Sequence, residues 1–363
     1  MRNLKPIFTA ETAKHAELFL LFFLCGLGAL CGKAFCGELK FRFQPGDKYS
    51  LVSVTEQKMS RVVDGNEKSS EQTTRLECDF DIEEVDENVF AWARYAYKRV
   101  TMKLRSEEQK IEFDSDANQL KAPMQAMPLR LAIGESVYLR ITPQGQIEKI
   151  NGLQALITNA KAKMGDFSGA GAVSQSIERQ FAGPAVRREL ENQLAVFPDS
   201  NGAGEIWGRR EVLSSADVGY TLIGQIEEVN IVYEKTFRLN PTAVRGGIAM
   251  VDVNLTIKPV TVAANMPASG AQARANREIS GEGAGQIEIE EATGRIISSK
   301  MTQDTAERVK FAAQGQKLRP PPSPEPIITH TVTTFQMTKI AEGKPVEGET
   351  SHIGGPAQPA DAN

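Results

Sequence analysis

From Leu39 onward the chain alternates apolar and polar residues. Leu39, Phe41 and Phe43 interleave with Lys40, Arg42 and Gln44, the period-two pattern of a strand with one buried face and one wet face. Pro45 and Gly46 then turn the chain. The alternation predicts a second strand over residues 49–63, a polar turn at Asp64, Gly65 and Asn66, and a return strand over 73–84. In that return strand Leu76, Cys78, Phe80 and Ile82 share one side and Glu77, Asp79, Asp81 and Glu83 the other. After Asp86, Glu87 and Asn88, residues 89–104 read as an aromatic strand containing Phe90, Trp92, Tyr95 and Tyr97. Residues 37–117 are therefore expected to form an antiparallel meander.

The period changes between residues 118 and 200. A hairpin is expected from 136–142 and 146–150 around Pro143, Gln144 and Gly145. Asn151 then precedes a helix with Leu153, Leu156, Ile157 and Ala160 on one face, ended by Gly165. Val173, Ile177 and Phe181 keep helical spacing up to Gly183 and Pro184, and Val186, Leu190, Leu194 and Phe197 resume it. Proline suits a first helical turn, where its missing N–H would have had no partner. This block reads as a helical insert packed on one face of a sheet.

Alternation returns over residues 201–340, with strands expected at 218–228, 230–239 and 249–258. The last sets Val251, Val253, Leu255 and Ile257 against Asp252, Asn254, Thr256 and Lys258. Residues 260–276, rich in Ala, Asn, Ser and Gly, read as a mobile loop. A second hairpin follows, 286–290 and 295–304 around Ala292, Thr293 and Gly294, and it echoes the first: each places Gly two residues before an Ile that starts the return strand. Residues 317–326 contain PPPSPEP and read as an extended linker, 327–340 as a final strand, and 341–363 as a disordered tail. The fold class expected is α+β: a large curved antiparallel sheet of meanders with a helical insert on one face.

Before the first strand stand Arg2, Lys5 and Lys14, an apolar run over residues 18–32, and small residues around Ala34. As a helix that run reaches roughly 22 Å, short of a hydrocarbon core about 30 Å thick. Residues 1–36 are therefore read as a secretory signal, cleaved after Ala34 or after Cys36, with a retained anchor as the alternative. Cys25, Cys31 and Cys36 follow Leu24, Leu30 and Phe35 rather than a small residue, which disfavours lipid anchoring. Without residues 1–36 the chain carries 38 basic and 44 acidic residues, a net charge of −6. No dense basic run interleaves with aromatics, so nucleic acid is excluded as an expected partner.

The candidate chemistry is sparse. The three histidines are His15, in the leader, and His330 and His352, near the C-terminus, so the commonest general base and metal ligand are scarce. GEGAGQ at residues 281–286 superficially suggests a dinucleotide loop, but alternating strand sequence follows it where a phosphate site needs a helix N-terminus. It reads as a flexible loop or a bulge. FSGAGA at 167–172 lacks the lysine of a phosphate loop, and PDSNGAGE at 198–205 is too short for a calcium loop. The acids between Asp79 and Glu87 alternate on the wet side of a strand. No cofactor and no enzymatic activity are expected.

Three stretches carry a resemblance: LKFRFQPGDKYSLVSVTEQKM, YLRITPQGQIEKINGLQALI and GEGAGQIEIEEATGRIISSKMTQD. Together they resemble an uncharacterised group of exported bacterial proteins catalogued as a domain of unknown function, of the 6263 type. That resemblance implies an envelope location and no assigned activity. More loosely, the predicted sheet with covering helices is similar to lipoprotein-carrier folds of the bacterial envelope. The resulting expectation is a non-enzymatic periplasmic or extracellular protein with a concave apolar surface, roofed by the helix that begins after Asn151. A lipid or other apolar small molecule would bind there without catalytic groups, at about 0.8 kcal/mol per buried methylene. The lining expected is Trp92, Tyr95, Leu153, Leu156, Ile157, Val251 and Val253. The alternative is a structural module that contacts another envelope protein through strand edges or the Pro-rich segment.

Overall fold

The computed structural model describes residues 39–63, 66–117, 122–165, 169–198, 206–214, 225–226, 230–268, 271–312 and 326–340. Residues 1–36, most of 218–228, nearly all of 198–205 and 317–326, and everything from Ala341 lie outside the described residues, and so do the expectations placed on them. Thirteen strands and four helices are described. The strands are β1 (Lys48–Val63), β2 (Asn66–Val85), β3 (Ala91–Ser106), β4 (Lys110–Asp114), β5 (Ser136–Ile141), β6 (Ile147–Asn151), β7 (Ile206–Ser214), β8 (Gln225–Ile226), β9 (Asn230–Arg245), β10 (Ile248–Ala268), β11 (Ala271–Glu290), β12 (Ile296–Ala312) and β13 (Ile327–Lys339). The helices are α1 (Met127–Ala132), α2 (Leu153–Met164), α3 (Ala170–Gln180) and α4 (Gly183–Leu194).

All strands belong to one antiparallel sheet. Its order is β6-β5-β3-β2-β1-β13-β12-β11-β10-β9-β7, with β4 on β3 and β8 on β10. The joint between the early and late strands is the β1–β13 pair, running from Tyr49 opposite Lys339 to Ser60 opposite Ile328. The outer face is charged: Asp81 pairs with Arg94, Asp79 with Lys98, Arg75 with Glu77 and Arg99 with Asp114. The acidic run of β2 is thus a solvated face with ion-pair partners. A membrane-spanning barrel instead shows lipid an apolar outer band.

The inner face divides along its length. At one end it is apolar and shut: Tyr49, Leu51, Phe80, Val251, Ile287, Ile289, Phe335 and Met337 are buried with all four helices in one continuous core. Towards the other end the same strands carry Thr55, Gln57, Gln72, Thr74, Gln303 and Thr331 in the inward register.

Two corrections concern the late strands. Residues 260–276, expected to be a mobile loop, run through β10 and β11, which pair from Ile248 opposite Glu290 to Ala268 opposite Ala271. GEGAGQ is likewise no loop but the middle of β11, paired on both sides. There the alternation disappears from the sequence while the backbone ladder continues. The glycines are there because the β12 backbone comes too close for a side chain. A Cβ at Gly281, Gly283 or Gly285 would lie 2.6, 2.7 or 2.4 Å from a carbonyl oxygen of β12.

The segment holding Leu39, Phe41 and Phe43 is a third correction, since it joins no strand ladder. Its three apolar side chains are buried, but its amides are satisfied one at a time. Phe41 N–H donates to Pro143 O at 2.8 Å and Arg42 N–H to Thr293 O at 2.7 Å. These acceptors are the two echoing hairpin turns, β5–β6 and β11–β12. The segment therefore stitches together two turns that lie far apart in strand order, which requires the sheet to curl. Phe41 stacks on Phe43 at 4.5 Å and meets Phe197 edge-on at 4.8 Å.

Candidate functional site

The curled sheet leaves its end strands, β6 and β7, unpaired with each other, and α4 sits between them. Pro184 opens α4 in its first turn, and Val186, Leu190 and Leu194 bury one face of it. On one side Glu191 Oε1 accepts the Ile147 amide of β6 at 2.8 Å, and Arg187 donates to Glu148 O. On the other side Asn192 accepts from Lys235 of β9. The chain leaving α4 is held by β7, where Trp207 Nε1 donates to Val196 O at 3.1 Å and Arg209 Nη2 to Phe197 O at 3.1 Å.

Between α4 and the inner faces of β9 to β13 and β1 lies a hollow of about 430 Å³. That is within the range of roughly 300–1,000 Å³ usual for small-molecule sites. Its floor is apolar, with Phe237, Val253, Leu255, Ile287, Met301 and Phe335, and its roof is polar, with Arg188, Glu189, Asn192 and Gln193. Ser53, Thr55, Gln303 and Thr333 border it where the inner face becomes polar. Lys235 is nearly buried and bridges to Glu211 at 3.2 Å. Trp207 stacks beside the floor on the same face, its ring 5.6 Å from that of Phe237.

Glu189 is exposed at the roof of the hollow, with protein packed around its carboxyl. This enclosure pushes its carboxyl above the ordinary carboxylate range, and the neighbouring Arg188 opposes the shift only in part. Arg188 Nη1 is fully buried with no hydrogen-bond partner among the described residues. Cys78, Tyr95 and Tyr97 lie in the adjoining core. There the Cys78 thiol donates to Tyr95 Oη at 3.0 Å, and burial raises all three pKa values.

Of the seven residues expected to line a cavity, Val253 does so here. Tyr95, Leu156 and Val251 are 3%, 1% and 0% exposed and belong to the filled core. Leu153 and Ile157 pack against that core from α2. Trp92 is half-buried and alternates with the inward Ala91 and Ala93 of β3, so it lies on the face opposite Tyr95. Leu156 and Ala160 of α2 share one filled core with Tyr97, Val173, Ile177 and Phe181, and the helix over the hollow is α4. Sequence reasoning missed Arg188, Glu189, Asn192, Gln193, Lys235 and Phe335. The four polar residues of α4 fall at i, i+1, i+4 and i+5 opposite an apolar face, which is also how a plain solvated helix face reads.

The fold and its hollow define a class: an open, curled antiparallel sheet whose free edges are bridged by a helix over a pocket of mixed polarity. Residues 93–296, more than half of the chain, match the family of unknown function DUF6263, and the chain belongs to that family. No curated protein matches it. A structure of lipovitellin, described for its lipid–protein interactions, is similar at 12% identity and a TM-score of 0.39. The match covers 82% of this chain and 25% of that one, so the present chain spans a quarter of lipovitellin's length. OccK5 (OpdH) of Pseudomonas aeruginosa is similar at 6% identity and a TM-score of 0.20, over 81% of this chain and 98% of that one. The translocator domain of the autotransporter NalP from Neisseria meningitidis matches at 8% identity and a TM-score of 0.17, over 91% and 98% of the two chains. Likenesses at these values carry no functional argument.

Proposed function

We propose that this protein is an exported, non-enzymatic binding protein that takes an apolar or amphipathic small molecule into the hollow between α4 and the curled sheet. The observation that supports this reading is the hollow itself: six apolar side chains on one wall face four polar ones on the other, in a volume suited to a small ligand. Moving a ligand methylene from water onto that wall is worth about 0.8 kcal/mol, so a chain of several carbons binds without any reactive group. Export is supported by the apolar run over residues 18–32 behind basic residues.

The test is titration of the chain from Gly37 with N-phenyl-1-naphthylamine, a neutral probe that fluoresces in apolar sites. Saturable one-site binding is expected, and Val253→Trp, which puts an indole into the hollow, should abolish it while the protein stays folded by circular dichroism. Binding unchanged in Val253→Trp would overturn the reading.

A further inference from the structure

We infer that the ligand of the hollow is an amphipathic anion, a single alkyl chain ending in a carboxylate or a phosphate, with its head group at the Arg188 guanidinium and the chain along the apolar floor. This rests on the hollow being a ligand site, as proposed above. Two independent observations carry the identity of the head group.

The first is the guanidinium of Arg188. Arg188 lines the hollow, and its Nη1 is buried with no acceptor among the described residues; a buried donor left unmade is costly. Lys235, the other cation lining the roof side, is already engaged by Glu211 and Asn192. A ligand acceptor is therefore needed at Arg188 and not at Lys235. Charge-assisted bonds from arginine to carboxylate or phosphate are among the strongest available.

The second is the placement of charge. The ionisable side chains facing the hollow are Arg188, Glu189, Glu211 and Lys235. Lys300 borders it too, but by strand alternation its side chain belongs to the outer face of β12, since its neighbours Ser299 and Met301 point inward. Glu211 and Lys235 cancel. The Arg188 guanidinium, with Nη1 unpartnered, is the cation left for an anionic head. The apolar floor lies across from that charge, giving one end of the ligand an ion pair and the other a greasy wall.

The experiment is calorimetric titration of the chain from Gly37 with dodecanoate, dodecyl phosphate and dodecanol. Both anions, or one of them, should bind at least about tenfold more tightly than the alcohol; which one does distinguishes a carboxylate from a phosphate head. Arg188→Gln should weaken the preferred anion by about tenfold or more, the scale of a lost charge-assisted hydrogen bond, and leave dodecanol within about twofold. Glu189→Gln should tighten anion binding at pH 8, where the acid is most ionised. If the wild type binds dodecanol as tightly as both anions, or Arg188→Gln keeps full anion affinity, the head-group assignment is wrong while the hollow remains a ligand site. If none of the three binds, the binding-site reading fails with it. Unfolding curves for each variant separate loss of the site from loss of the fold.

Discussion

The stitch between the two hairpin turns is the feature most open to a decisive substitution, Gly294→Ala. Gly294 has φ +72°, and a Cβ there would lie 1.9 Å from Lys40 O and 2.5 Å from Lys40 C. The left-handed conformation costs a residue with a Cβ about 1–2 kcal/mol. The collision adds more, because its partner is backbone and the segment holding Phe41 must move by over an ångström. That movement breaks the bond from Arg42 N–H to Thr293 O, worth about 0.5–1.5 kcal/mol. It also loosens the Phe41 and Phe43 packing, for which complete loss of one ring costs about 3–5 kcal/mol. A total of about 3–5 kcal/mol is expected, against about 1–2 kcal/mol for Gly46→Ala, where φ is +89° and no atom lies within 4 Å of the added Cβ. Urea unfolding of both variants measures the difference directly. If Gly294→Ala is destabilised by no more than Gly46→Ala, the N-terminal segment does not hold the turns together and the account of the curl is wrong.

Three further outcomes are expected. Asp47 accepts bonds from the Gln44 amide, Tyr49 and Lys339; burial raises its pKa, but these bonds outweigh it and hold the carboxyl below its usual range. The stability it adds is present above the unfolded pKa near 3.9 and is lost as pH falls through the lower folded value. Asp47→Asn should therefore cost about 1–3 kcal/mol at pH 7 and much less at the acid end of a pH series of urea melts. Glu189 has the opposite sign: its folded pKa is raised, so ionisation at neutral pH works against folding. Glu189→Gln should raise the melting temperature at pH 8, with the gain shrinking as pH falls below about 4.3, where the unfolded chain is also protonated; a gain independent of pH would refute the assignment. Cys78, buried and with its thiol pKa pushed up by burial, should resist a disulfide-exchange reagent in the native chain from Gly37 and react fully in denaturant; prompt native reaction would contradict its placement.

What the sequence determined by itself is local and periodic. The β5–β6 hairpin, the helix faces of Leu156 and Ala160 and of Val186, Leu190 and Leu194, and the strands about Leu51, Cys78 and Val253 lie where hydrophobic spacing puts them, because near the core each residue's neighbours decide one wet side and one dry side. Tertiary structure decided the rest. The glycine tract of β11 and the Ala-rich continuation of β10 are strands held by backbone ladders that no apolar alternation marks in the sequence. The choice of α4 over α2 as the roof depends on which helix the curl brings between β6 and β9, and that is set by the contacts of Phe41 and Arg42 with turns some 100 and 250 residues away. Arg188 and Glu189 line a hollow only there, since the same two side chains on an isolated helix would simply face water.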